Sequence, residues 1–475
     1  MRTKLMRIVS FLMVVCLTLA ILTGLTSLTE SKSSVEKYKQ FFQQDADFDV
    51  LFLGSSKVIN GVLPMELWND YGIVSYNMGG HATTIPTSYW ILRNALDYTK
   101  PKCVVIDCFG SGGNGGLNDN FYYTHLSFDA FPLSLTKIQS VFDLVQPQKI
   151  EDAQAKRLEL LWNFSTYHSR WSQLALNDYQ PYFNYQKGAE SRPHVSIPAE
   201  MAVVSPDSKN TLENRSMQYL IKTIELCKEQ GIDVLLVNLP YPANEEDLIA
   251  ANTVADVAEI YDVGYVNFFN MDVVDYQTDM HDPDSHLNPS GALKITDYLG
   301  QILSEQYEIS DQRTNPEYET WYEDAEKYHL EKAGLFKEVT SGWNYWMLLS
   351  DKDFSFVAAL SETDWQQDEV LAALLRNAGV QPEKVTGRCI IAANRATGEV
   401  TYTQWEDFSQ GPVETSLGTL SMEEETVKLG DQVFWQAKDC ESRDMLFTLL
   451  DQEYNFLGSS KFPADKIRNP AQISE

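Results

Sequence analysis

Basic residues are scarce in this 475-residue chain: 37 lysines and arginines stand against 67 aspartates and glutamates, a net charge of −30. A surface of that sign repels phosphate backbones, which argues against nucleic acid as a partner. Cysteine is sparse too. The six cysteines, Cys16, Cys103, Cys108, Cys227, Cys389 and Cys440, contain no Cys-x-x-Cys pair, so neither a zinc knuckle nor a disulfide framework is written here. No cofactor and no metal are expected. What is present is ordinary globular material, 44% hydrophobic, 22% charged and 12% aromatic, enough for two or three domains.

The N-terminus carries a strong signal. Arg2, Lys4 and Arg7 precede 22 uncharged residues, Ile8 to Thr29, before Glu30 and Lys32. Such a segment is a secretory signal or a membrane anchor, and its basic flank holds the N-terminus inside and sends the rest of the chain outside. The run is long for a signal and no Ala-x-Ala site follows it, so residues 1–30 read as an uncleaved anchor in the cell membrane, with secretion as the alternative.

Beyond residue 46 short apolar runs alternate with helical patterns. Strands are expected at 49–53, 73–77, 102–107, 233–239 and 264–269, with helices at 86–98, 211–230, 245–261 and 289–303. That rhythm implies an α/β domain over 46–305, a parallel sheet with helices on both faces. An insertion over 110–209 interrupts it and reads as a cover over the sheet's carboxyl edge. A charged connector follows at 306–343. From 344 to 475 the pattern becomes strand-rich α+β, an accessory domain with turns at 397–398, 430–431 and 451–455.

Two loops could carry chemistry. Gly54-Ser55-Ser56 lies where the first strand turns into a helix, a place that lifts a serine hydroxyl above the sheet edge and can aim its N–H as an oxyanion donor. The same six residues, Phe-Leu-Gly-Ser-Ser-Lys, recur at 456–461 with no helix after them, where they read as a turn. The second loop, His281-Asp282-Pro283-Asp284-Ser285-His286, precedes the last helix of the domain. A histidine oriented there by a carboxylate can meet Ser56 as a serine, histidine and acid triad. A capping loop ending in Asn288, or a metal site, are the rival readings. In the insertion, Tyr167-His168-Ser169-Arg170-Trp171 offers His168, Arg170 and Trp171 as a carbohydrate platform, or else pins a helix.

In their order these blocks resemble the SGNH/GDSL hydrolase superfamily. Gly54-Ser55-Ser56 looks like its nucleophile block, with Ser55 where the family has aspartate. Asn77-Met78-Gly79-Gly80 looks like the oxyanion-glycine block, and Gly116-Leu117-Asn118-Asp119 like the asparagine block, with Asn114 as an alternative. The last block departs from Asp-x-x-His, since Pro283 stands three before His286. Asp284, two before, matches the Asp-x-His spacing of anchored SGNH-like proteins that acetylate alginate, and Asp282 is the fallback. The wider pattern is similar to membrane-anchored SGNH-like proteins of Gram-positive bacteria.

The resemblance implies a flavodoxin-like SGNH domain with Ser56 as nucleophile, His286 as base and Asp284 as orienting acid. The oxyanion donors would be Ser56, Gly79, Gly80 and an asparagine. The expected activity is acyl-ester chemistry, with O-acetyl transfer to a cell-envelope polysaccharide favoured over acetylester hydrolysis. The expected partners are an acyl-ester substrate, a glycan acceptor, the membrane and a membrane-bound acyl donor. An inactive envelope-glycan-binding protein is the reading from another class.

Overall fold

The computed structural model describes residues 2–30, 35–44, 47–117, 120–179, 183–360, 368–423, 426–436 and 444–469. The uncharged run lies within one unbroken helix, α1 (Arg2–Thr29), long and apolar enough by length and composition to cross a membrane. A short helix α2 (Val35–Gln43) leads into the α/β domain.

Five strands, β1 (Val50–Leu53), β2 (Ser75–Asn77), β3 (Cys103–Asp107), β4 (Asp233–Asn238) and β5 (Gly264–Asn267), form one parallel sheet in the order 2-1-3-4-5. Side chains alternate across it. Leu51, Leu53, Val104, Ile106 and Leu236 face one buried cluster. Val50, Phe52, Val105, Leu235 and Val237 face another. The first cluster is completed by α2, α5 (Ile85–Ala95), α10 (Arg215–Gln230) and α11 (Glu245–Tyr261). The second is completed by α3 (Ser56–Gly61), α4 (Pro64–Tyr71) and α12 (Pro289–Glu305). The chain reverses winding direction between β1 and β3, and ligands of open α/β sheets bind at the carboxyl ends beside such a switch point.

The insertion has two parts. Helices α6 (Tyr122–Phe128), α7 (Leu135–Leu144), α8 (Ala153–Leu161) and α9 (Phe164–Tyr167), then 3-10 turns at His168–Gln173 and Leu176–Tyr179, pack toward α5, α2 and α1. From 183 to 204 the chain then runs as a strap with neither helix nor strand, turning once at 185–188.

Helices α13 (Glu319–Glu338) and α14 (Gly342–Leu348) lead to the strand-rich part. Strand β6 (Ser355–Leu360), helix α15 (Glu369–Asn377) and strands β7 (Cys389–Asn394) and β8 (Glu399–Gln404) come first. Strands β9 (Val413–Thr415), β10 (Gly418–Glu423), β11 (Thr426–Leu429) and β12 (Gln432–Gln436) form a four-stranded antiparallel sheet. Strands β13 (Met445–Leu450) and β14 (Phe456–Phe462) close a five-stranded antiparallel sheet with β6, β7 and β8. The second Phe-Leu-Gly-Ser-Ser-Lys is therefore no turn. It lies in the edge strand β14, where Gly458 pairs with Leu449 in extended backbone. The sequence also predicts a helix from Trp365 to Ala378; α15 fills Glu369–Asn377 of it, and residues 365–367 lie outside the described residues.

One buried lysine joins these parts. Lys332 on α13 places its ammonium 2.7 Å from Glu66 of α4, 2.9 Å from Asp351 and 2.5 Å from Asp353. Its removal would leave the buried Glu66 without its cation beside two half-buried aspartates, a change that costs about 3–5 kcal/mol. Lys332→Met should lower the urea midpoint accordingly, and an unchanged midpoint would show that the cluster holds nothing together.

Candidate active site

The corner after β1 is built on glycine. Gly54 has φ +154°, and a Cβ there would lie 2.5 Å from Val58 and 2.8 Å from the Asp107 side chain, so only glycine lets the chain turn against β3. Ser55 caps α3, its hydroxyl accepting from the Lys57 N–H at 3.3 Å. Ser56 is then the first residue of α3, and its own N–H has no intrahelical acceptor.

The histidine loop is closed by a bridge between Met280 and Leu287, and the His281 N–H donates to the His286 carbonyl at 2.8 Å. Inside it the Asp282 carboxylate accepts the N–H of Ser285 at 2.8 Å and that of His286 at 3.0 Å. Its other oxygen meets His286 Nδ1. A carboxylate only accepts, so Nδ1 carries the proton and Nε2 is left as an acceptor. Nε2 lies 2.8 Å from Ser56 Oγ, although 230 residues separate the two. Partial burial of Asp282 works against its charge, but the bonds to His286 and Ser285 prevail and hold its pKa well below the ordinary carboxylate value.

This geometry corrects the reading of Asp284. That side chain is exposed and, among the described residues, accepts from the neighbouring Ser285 hydroxyl alone, at 3.0 Å. With Pro283 at the turn, position 282 points back under the imidazole and position 284 points out. His281 sends Nδ1 to the Arg192 carbonyl at 3.2 Å, so the loop's two histidines do not share a ligand site.

The glycine block is corrected as well. The Gly79 N–H donates to Asn77 Oδ1 at 3.1 Å and the Gly80 N–H to the Gly54 carbonyl at 3.0 Å, so both amides are engaged in the fold. Asn77 also donates to the Val58 and Val62 carbonyls at 2.7 and 2.9 Å. Here the block braces α3 and the serine corner. Asn114 lies exposed in the loop after β3 with no side-chain hydrogen bond among the described residues, and Asn118 lies outside the described residues.

The aromatic cluster of the insertion is elsewhere. Tyr167 is buried and donates to Asp129 at 2.6 Å, while His168 bonds the carbonyls of Phe164 and Ser165. Arg170 is spent on the Thr29 and Glu30 carbonyls at the end of α1 and on Asp178 at 2.9 Å. Trp171 is exposed. None of these three candidates bonds the Ser56 corner or the histidine loop.

Three features escaped the sequence reading. Lys57, buried beside Ser56, donates to the Ser285 carbonyl at 3.0 Å and lies 3.4 Å from the Tyr241 ring centroid and 4.5 Å from that of Phe109. Burial pulls its pKa down to about 8. Asp107, at the end of β3, is buried and pushed up to about 7 by desolvation. The strap ties both halves together: Glu190 bonds the Ile59 carbonyl through its N–H at 3.0 Å, and Ser196 bonds the Met280 carbonyl at 3.0 Å. A lysine after a serine could have prompted the first. The strap has no periodicity to read.

No family model and no curated protein matches the chain. Among solved structures, a Bacteroides fragilis NCTC 9343 protein described as a "putative acylhydrolase" is similar to 58% of this chain and 100% of its own, at 13% identity and a TM-score of 0.30.

Proposed function

We propose that this chain is an SGNH-type serine acyl-ester enzyme with Ser56 as nucleophile, His286 as general base and Asp282 as the residue that fixes the imidazole. The observation that carries the reading is the continuous series Ser56 Oγ, His286 Nε2, His286 Nδ1 and Asp282 at the carboxyl edge of the sheet. Ser56 Oγ attacks the acyl carbon as Nε2 takes its proton, and the Ser56 N–H faces the developing oxyanion. Collapse breaks the ester bond, and His286 returns the proton to the departing alkoxide. A second hydroxyl then attacks the acyl-serine, releases the acyl group and restores Ser56.

If that hydroxyl is water the enzyme is an esterase. If it belongs to a sugar of the cell envelope, the enzyme is an O-acetyltransferase supplied by a membrane-bound acyl donor, the reading favoured by a helix that can anchor the protein. An active-serine phosphonate probe should label the full-length protein on the peptide holding Ser56. Envelope glycan fragments should then gain acetyl mass with an activated acetyl ester; fragments that lose acetyl groups would make it an esterase, and absence of labelling would remove the enzyme reading.

Lys57 adds a pH dependence. Its pKa in the folded chain is below the unfolded value, so the buried ammonium costs stability at low pH, and that cost is relieved as pH rises from about 8 toward 10.5. In the folded chain the charge that grips the Ser285 carbonyl is lost as pH passes through about 8. Turnover should therefore decline above about pH 8, and Lys57→Met should have lower turnover without that alkaline limb. A limb that persists in Lys57→Met would assign it to another group.

A further inference from the structure

We infer that the insertion surface beside the end of α1, carrying Trp162, Trp171, Leu176 and Tyr179, is seated in the lipid headgroup layer of the bilayer. The inference rests on α1 spanning that bilayer. Residues 4–21 of α1 are exposed all round, whereas Leu22, Thr26, Leu28, Thr29 and Glu30 are partly or fully covered. The exposed stretch rises about 27 Å against a hydrocarbon core of about 30 Å; its uncharged part, residues 8–21, supplies about 21 Å, and Lys4 and Arg7 carry their charges back to the inner headgroups. Covering protein thus begins at the outer edge of the hydrocarbon.

That cover is α9 and the two 3-10 turns, which pack directly on α1. Arg170 caps the last carbonyls of α1, and Asn163 donates to the buried Glu30 carboxylate at 2.6 Å. Position and tilt of this segment relative to α1 are therefore set by bonded contacts. The same segment exposes large apolar side chains, Trp171 at 73%, Leu176 at 71% and Tyr179 at 63%, and Trp162 at the end of α8 is 46% exposed. In water such a patch is a liability, while tryptophan and tyrosine are the residues enriched at the membrane–water boundary. The net charge of −30 makes attraction to anionic lipid a poor alternative, so the seat is aromatic and apolar.

The test uses the full chain in phosphatidylcholine nanodiscs, with Cys16 and Cys440 changed to serine. An environment-sensitive dye is attached in turn at Trp171→Cys, Leu176→Cys, Leu12→Cys and Val203→Cys, and lipid spin labels at the headgroup or deep in the acyl chain serve as quenchers. The expected result is strong headgroup quenching with blue-shifted emission at 171 and 176, deep quenching at 12, and neither at 203. If 12 is quenched while 171 and 176 behave like 203, the anchor stands and the seat is overturned. If 12 also escapes, α1 is not in the bilayer and the seat falls with it. A dye at 171 that responds to soluble N-acetylglucosamine oligosaccharides and to neither quencher would make the surface a sugar platform instead.

Discussion

Ser56→Ala should lower ester turnover by at least about 10³-fold, because removal of a triad nucleophile leaves only binding and the oxyanion donors. Loss of phosphonate labelling should accompany it. The internal control is Ser460→Ala, at the matching position of the second Phe-Leu-Gly-Ser-Ser-Lys. Ser460 lies in edge strand β14 opposite Phe447, with neither a helix N-terminus nor an imidazole against its hydroxyl, so that variant should keep full turnover. Equal loss in both variants, or labelling that survives Ser56→Ala, would sink the assignment.

The second large effect separates two aspartates that stand two residues apart. Asp282→Asn replaces an acceptor-only carboxylate by an amide whose NH₂ can face Nδ1, which favours the wrong imidazole tautomer. A fall of about 10³–10⁴-fold in kcat is expected, with KM little changed. Asp284→Asn should leave kcat where it was, since among the described residues that side chain bonds the Ser285 hydroxyl and not His286. Stability gives a second readout. The folded pKa of Asp282 is depressed, so its contribution is present above the ordinary carboxylate pKa and is lost as pH falls toward the folded value. Asp282→Asn should accordingly lose stability near neutral pH and lose less of it in strong acid. Should Asp284→Asn prove the damaging change, the loop must rearrange when substrate binds.

The parallel sheet was legible because its strands are short apolar runs set between helices with clear ends. Helix α11 occupies 245–261 as read, with Asn244 capping it. Ser56 and His286 could be paired from position alone, since one follows the first strand and the other precedes the last helix. Which aspartate serves His286 could not, because the choice depends on Asp282 accepting two loop amides and so turning inward. The glycine block misled for a related reason: letters locate a glycine, but whether its N–H is free depends on Asn77 and the Gly54 carbonyl. The repeated hexapeptide is the sharpest case. Identical residues form a strand, a turn and the start of a helix in one place and edge strand in the other, so neighbours decided the conformation.

The junction between α1 and the serine corner has a consequence for how a substrate would be met. Lys39 pairs with Glu30 at 2.5 Å, and the residue before it on the same short helix, Tyr38, lies 3.2 and 3.0 Å from the Met78 and Gly79 carbonyls that brace the serine corner. From the insertion, Asn163 and Arg170 hold the same end of α1. With α1 in a bilayer, Ser56 travels at one fixed height and samples a plane, where an enzyme on a flexible linker would sample a hemisphere. On the proposed function, acyl donors confined to the same membrane would then be found by a two-dimensional search, and glycan strands would be modified only in the layer that this height intersects.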